Sequence, residues 1–177
     1  SFEPWSNANL VPVVLPAVEG VVDALRRGIE VADIGCGAGS AVCTMAEAYP
    51  ESRFTGYDIS RHALAIAREK AASRGLTNVR FVDAREESVA EDGRFGFVTT
   101  FDCIHDMTRP REMVSIIRRS LAKHGVWLLV DIKALETLEQ NVAKNPMASL
   151  MYGISVMSCM ASALSEEGGE GLGTLGF

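Results

Sequence analysis

One stretch constrains this chain more than any other: Glu30 to Ser40, reading Glu-Val-Ala-Asp-Ile-Gly-Cys-Gly-Ala-Gly-Ser. Val31, Ala32 and Ile34 form a short apolar run of the kind that makes a buried strand. Gly35, Gly37 and Gly39 follow at alternate positions, and an alanine-rich amphipathic segment comes next. A strand that passes through glycines into a helix brings bare backbone against a nucleotide-like ligand in an α/β sheet. The spacing is G-x-G-x-G, with Asp33 two residues ahead of the first glycine. A dinucleotide fingerprint is G-x-G-x-x-G, whose third glycine serves helix–strand packing.

The flanking segments alternate in period. Val13 to Arg27 predicts an amphipathic helix with Val14, Val18, Val21, Val22 and Leu25 on one face and Gly28 as its stop. Ala41 to Tyr49 predicts a helix ended by Pro50, and Arg53 to Tyr57 a strand that finishes on Asp58. Ser60 caps a helix through Arg74, with Gly75 beyond it. Val79 to Val82 and Phe97 to Phe101 read as strands ending on Asp83 and Asp102. Pro110 opens a helix whose core face is Met113, Ile116, Ile117 and Leu121. Val126 to Val130 is apolar throughout, as in a strand buried on both faces. Strands alternating with helices imply right-handed crossovers and a doubly wound, mostly parallel α/β sheet. The tail from Glu166 is glycine-dense and reads as a loop.

Ligands in such a sheet bind outside the carboxyl ends of the strands. Asp33, Asp58, Asp83 and Asp102 stand at or next to four successive strand ends. One strand-end aspartate is commonly just a cap, whereas four in register with a glycine loop point to a site. Asp58, 25 residues after Asp33, is placed to accept both hydrogen bonds of a ribose diol. A dehydrogenase would use the same position.

Composition narrows the partners. At 177 residues the chain fits one sizeable core. A net charge of −6 disfavours a nucleic-acid partner, because phosphate neutralisation wants a basic face. Cys36, Cys43, Cys103 and Cys159 show no C-x-x-C pair and read as reduced, mostly buried thiols of a cytoplasmic protein. Three scattered histidines, His62, His105 and His124, offer too few ligands, so no metal is expected. Met147 to Ser165 carries no charge, yet it holds Gly153 and several serines, and Leu150, Ile154, Met157, Ala161 and Leu164 recur at helical spacing. That stripe predicts a buried or capping helix and no membrane span. Met147, Met151, Met157 and Met160 suit either an apolar substrate surface or plain core packing.

Asp33 with G-x-G-x-G resembles the first motif of class I S-adenosylmethionine-dependent methyltransferases, and Asp83-Ala84 resembles their motif after strand three. Phe101-Asp102-Cys103-Ile104-His105-Asp106-Met107 followed by Pro110, Asn145-Pro146 and Leu164-Ser165-Glu166-Glu167-Gly168-Gly169 are similar to a bacterial small-molecule subgroup. The resemblance implies a Rossmann-like sheet in the order 3-2-1-4-5, with residues 1–133 as cofactor core (1–12 a leading segment) and 134–177 as a helical cap. It implies S-adenosylmethionine as cofactor and S-adenosylhomocysteine as product. It also implies that Gly35, Cys36, Gly37 and Gly39 approach the cofactor closely. Asp33 would stand near the methionine ammonium, Asp58 on the ribose, and Asp83 with the Ala84 N–H on adenine. Ile59 would pack on adenine, or belong to ordinary core. Phe101 and Asp102 would lie beside the methionine end. Members typically carry an N-terminal winged helix, dimerise through it, and end in an antiparallel strand pair. Neither element is present here, so a piece of a longer protein, a homodimer when whole, is expected.

The reaction this implies is in-line transfer of a methyl group to a small, apolar or aromatic acceptor. His105, three residues after Asp102, is the candidate general base; a hydrogen-bonded structural place in the loop is the alternative. His62 and His124 read as surface residues. Phe2 and Trp5 are candidates to close the pocket mouth. A cofactor-binding regulator without catalysis and a nicotinamide-dependent oxidoreductase are the other classes open, the latter disfavoured by glycine spacing and Asp83-Ala84.

Overall fold

The computed structural model describes residue 4 and residues 6–175; Phe2 and Trp5 lie outside the described residues. Helix α1 covers Ser6–Ala17, with Ser6–Val14 wound as a π-helix, and α2 covers Val21–Arg27. They are followed by β1 (Glu30–Ile34), α3 (Ser40–Ala48), β2 (Arg53–Asp58), α4 (Arg61–Ser73), β3 (Val79–Asp83) and β4 (Phe95–Phe101). A 3₁₀ turn at Ile104–Asp106 leads to α5 (Pro110–Ser120), β5 (Leu121–Val130) and α6 (Leu138–Lys144). The last helix, α7, runs Ala148–Ala163, with Ser155–Cys159 in π geometry.

The five strands form one sheet in the order β3-β2-β1-β4-β5. Strand β1 pairs in parallel with β2 and β4, and β2 with β3. The alternation of helix and strand is therefore realised as a doubly wound α/β sheet with its switch point beside β1. The Ser60 cap is formed, its Oγ accepting the Ala63 N–H at 3.3 Å.

Contacts divide the described residues into two compact units. The first takes in residues up to Thr100 together with Ile116–Leu129; the second takes in Phe101–Ser115 and the residues from Val130 on. In the first, Phe54, Tyr57, Leu64, Phe95, Phe97 and Ile117 are fully buried, and the Tyr57 and Phe95 rings meet edge-on at 6.5 Å. Truncating one such phenylalanine to alanine costs roughly 3–5 kcal/mol, so this cluster dominates the stability of the sheet. In the second, the buried set is smaller and mixed: Ile104, Ala148, Cys159, Ala163 and Leu175 stand beside the polar His105, Asn141, Ser155 and Thr174.

Three sequence expectations are corrected. The helix predicted over Val13 to Arg27 breaks after Ala17, where Val18 turns extended and Gly20 follows at φ 74°, and its two arms bend by 105°. A left-handed residue cannot continue a right-handed helix. The strand predicted at Val126 to Val130 begins at Leu121, and none of its residues is fully buried; Leu129 is 49% exposed. It is the last strand in the order, with β4 as its neighbour on one side. The apolar stripe of α7 also faces away from its unit: Leu150, Ile154, Met157 and Leu164 are exposed, while Ala148, Ser155, Cys159 and Ala163 are buried. The tail explains the inversion. Thr174 donates its N–H to Ser155 Oγ at 2.9 Å, and its hydroxyl lies 2.7 Å from Cys159 Sγ. That turns the small polar side of the helix inward. Among the described residues no single helix is long and apolar enough to cross a membrane.

Candidate functional site

The glycine turn after β1 is built from both of its ends. Gly35 and Cys36 donate their N–H groups to the Tyr57 carbonyl at 2.9 and 3.0 Å, which folds the turn onto the end of β2. The next N–H, that of Gly37, reaches Asp58 Oδ2 at 2.7 Å. Asp58 Oδ1 accepts the Ser60 N–H at 2.8 Å. Each Asp58 oxygen keeps a second lone pair for an outside donor.

The glycines do different work. Gly39 has φ 74°, and a Cβ there would meet Ala67 Cβ at 2.8 Å and the Phe81 ring at 3.0 Å. Its role is close packing of α3 and α4 over the sheet. Gly37 has φ 52°, and a Cβ there would meet nothing within 4 Å, so open space lies over the turn. Gly56 was not singled out from the sequence. A Cβ at that position would meet Cys36 Sγ at 2.8 Å, so this strand glycine lets the turn lie down on β2. A glycine inside a strand is the signal that could have found it.

Asp33 is buried at 1% exposure and faces Gly56 on one side and Thr99 on the other in the sheet register. Thr99 Oγ1 donates to Asp33 Oδ1 at 2.7 Å. Burial, only partly offset by this hydrogen bond and reinforced by the charge of Asp58, pushes the Asp33 pKa up to about 7. A nearby cation would return it to the ionised form. Cys36 is likewise pushed far up by burial and by the two aspartates, so its thiol stays protonated and unreactive.

At the end of β3, Asp83 is held by two arginines. Arg85 Nε and Nη2 reach its two oxygens at 3.0 and 2.9 Å, and Arg61 Nε reaches Oδ2 at 3.1 Å. The Arg85 pair, foremost among the causes, keeps the Asp83 carboxyl well below the usual carboxylate range. The Ala84 N–H donates to the Asp58 carbonyl at 2.9 Å. The groups expected on adenine are thus engaged by protein in this state. Neither arginine was read from the sequence, and only Arg85, two residues from Asp83, was within local reach. Ile59 is 61% exposed, so it is not core.

In the second unit, Phe101 is half-buried and Asp102 adopts φ 53°, among the described residues the one non-glycine in that region. Such a left-handed residue stores strain of the kind found at functional sites. The Asp102 N–H is fixed on the Val130 carbonyl at 2.8 Å. His105 is 5% exposed. Its Nδ1 lies 2.7 Å from Asp131 Oδ1 and its Nε2 3.2 Å from Asp106 Oδ1. Burial pulls its pKa down, but the Asp131 hydrogen bond and the charges of Asp131, Asp106 and Asp102 outweigh this, and the net direction is up. A buried imidazole enclosed by carboxylates suits the structural alternative better than a base facing an acceptor. His62 and His124 are exposed.

A model of the methyltransferase domain matches residues 25–169. The ubiquinone biosynthesis O-methyltransferase of Leptothrix cholodnii is 28% identical over 142 residues, 79% of this chain and 56% of that protein. The 2-heptyl-1-hydroxyquinolin-4(1H)-one methyltransferase of Mycobacteroides abscessus is 33% identical over 137 residues, 74% of this chain and 57% of that protein. The crystal structure of the YcgJ protein from Bacillus subtilis superposes with a TM-score of 0.61 at 24% identity, covering 84% of this chain and 56% of that one. That likeness shows the fold. The chain thus spans somewhat more than half the length of these relatives.

Proposed function

We propose, for a chain that belongs to the methyltransferase domain family, that it binds S-adenosylmethionine at the β1–β2–β3 strand ends and serves methyl transfer to a small apolar or aromatic acceptor. The observation that carries this reading is the Gly35–Gly39 turn clipped to Asp58 with open space above Gly37. It offers bare backbone beside a carboxylate with two free lone pairs, which suits a ribose diol. Exposed Ile59, next in sequence, supplies an apolar surface for the base. Asp33 supplies a buried carboxyl poised to ionise when an ammonium approaches. Asp83 would share a lone pair with the adenine amino group, or exchange an arginine for it. The residues present therefore fit the cofactor.

When bound, the cofactor supplies a methyl carbon on a positively charged sulfur, so an acceptor can displace a neutral thioether. This chain's own part is to hold the two partners in line and exclude water; alignment of that kind accounts for several kcal/mol or more of a barrier. Phe101, the last residue of β4, and Asp102, the next residue, are proposed at the methyl end. His105 is given a structural role.

The acceptor class rests on three supports. One relative is named for a heptyl-hydroxyquinolinone, an aromatic ring with an alkyl chain. Met147, just before α7, and Leu150, Ile154, Val156 and Met157 within it expose apolar side chains. The net charge of −6 speaks against a nucleic acid. Four free cysteines support a reducing, cytoplasmic setting.

The test is incubation of the intact protein with methyl-labelled S-adenosylmethionine and a panel of hydroxylated aromatics. Label in an acceptor supports the reading. Tight S-adenosylhomocysteine binding with no transfer to any acceptor would replace it with the regulatory one.

A further inference from the structure

We propose a zinc-class metal site in the second unit, formed by His105 Nε2, Asp106 Oδ1 and Cys159 Sγ. None of these three donors is assigned to cofactor or acceptor in the methyl-transfer reading, so the site stands or falls apart from it. These three donor atoms lie within 4.8 Å of one another. Nε2 and Oδ1 are 3.2 Å apart. Two ligands about 2.0–2.2 Å from a tetrahedral zinc are roughly 3.3 Å from each other, so that edge is already preformed.

Four further features fit a metal. Asp106 Oδ1 is buried and completes no hydrogen bond, since His105 Nε2 at 3.2 Å is not aligned to donate to it, and an ion between the two would satisfy both. The opposite ring nitrogen, Nδ1, faces Asp131 Oδ1 at 2.7 Å. Asp131 is itself oriented by the Ile132 N–H at 2.7 Å. A carboxylate behind a histidine fixes the ring and raises its basicity toward the metal, the usual outer partner of a zinc-bound imidazole. The Thr174 hydroxyl, 2.7 Å from Cys159 Sγ, is placed to donate to a thiolate.

Charge points the same way. Asp102, Asp106 and Asp131 surround one imidazole, and among the described residues the ion pairs to their side chains come from His105. Asp102 Oδ1 is also buried and, 4.0 Å from His105 Nδ1, makes no hydrogen bond. One Asp106 carboxylate and one Cys159 thiolate neutralise a divalent ion. A mixed nitrogen, sulfur and oxygen set suits zinc over magnesium or calcium, which prefer oxygen alone. Three protein donors leave a fourth position for water. The ion would tie the turn after β4 to α7, where the Gly173 N–H already reaches the His105 carbonyl at 3.2 Å.

The probe is cobalt(II) added to the intact, chelator-stripped protein without cofactor. One equivalent should bind with a thiolate-to-cobalt charge-transfer band. Cys159→Ser, which keeps a partner for Thr174, should remove that band, while Cys103→Ser should keep it. Asp131→Asn should keep the band and weaken cobalt and zinc binding 10–100-fold, as expected for loss of an outer partner. Absence of stoichiometric binding, a band that survives Cys159→Ser, or unchanged affinity in Asp131→Asn would overturn the proposal. Should Cys159→Ser fail to fold, the Asp131→Asn affinity decides.

Discussion

The Gly37 N–H donates to Asp58 Oδ2 at 2.7 Å, joining the centre of the glycine turn to the end of the neighbouring strand. One carboxylate thereby shapes the turn and keeps lone pairs facing outward. Removing it should loosen the turn before any ligand is involved. In Asp58→Ala the Gly37 amide should exchange its hydrogen at least tenfold faster, whereas amides in the middle of β1 should keep their protection. Hydrogen exchange read by NMR checks this. Equal protection in both proteins would show that the turn holds without Asp58.

Gly39 and Gly37 should respond unequally to alanine. Both have positive φ, so each substitution costs about 1–2 kcal/mol in backbone strain. At Gly39 the new Cβ also meets Ala67 and Phe81, whereas at Gly37 it enters open space. Thermal melts should place Gly39→Ala clearly below Gly37→Ala. Gly37→Ala should lose S-adenosylhomocysteine affinity with only the drop in Tm that the strain alone brings, about 2–8 °C.

Asp33 makes stability depend on pH. Its native pKa is about 7, against roughly 4 in an unfolded chain. Between those values the native state binds the extra proton, so its stability falls as pH rises. Asp33→Asn keeps an oxygen for the Thr99 hydroxyl and removes the charge. Denaturant titrations should find the variant equal to the parent near pH 4 and more stable by a few kcal/mol at pH 8. A variant less stable at pH 8 would mean that Asp33 is stabilised as an anion.

His105 has the opposite charge and the same direction of slope. Its pKa is raised in the fold, so the favourable contribution is complete below the unfolded value near 6.5 and lost as pH rises through the higher native one. In the metal-free protein, Asp131→Asn should flatten the stability profile above that value. A profile unchanged by Asp131→Asn would remove the pair from the balance.

The alternation of strand and helix and the tight glycine turn after β1 were legible because their signals are local, whereas the sheet order rested on the family resemblance. The apolar runs at Val31–Ile34 and Val79–Val82, the alternating glycines and the Ser60 cap each lie within a few residues. What escaped depends on distant partners. Asp131 meets His105 across 26 residues, and Arg61 meets Asp83 across 22. The orientation of α7 is set by Thr174, 19 residues beyond Ser155. The stripe Leu150, Ile154, Met157 and Leu164 has a clear helical period, but period alone does not say which face is covered. The edge position of β5 is similar: an apolar run reports affinity for burial, and the neighbours decide whether burial occurs.

Whether the Asp58 turn binds S-adenosylmethionine is decided by calorimetric titration of the intact protein with S-adenosylhomocysteine. Saturable one-to-one binding is expected, weakened by about 2–4 kcal/mol in Asp58→Ala through loss of charge-assisted hydrogen bonds, with no heat from NAD. Failure to bind S-adenosylhomocysteine, affinity unchanged by Asp58→Ala, or NAD binding in its place would contradict it.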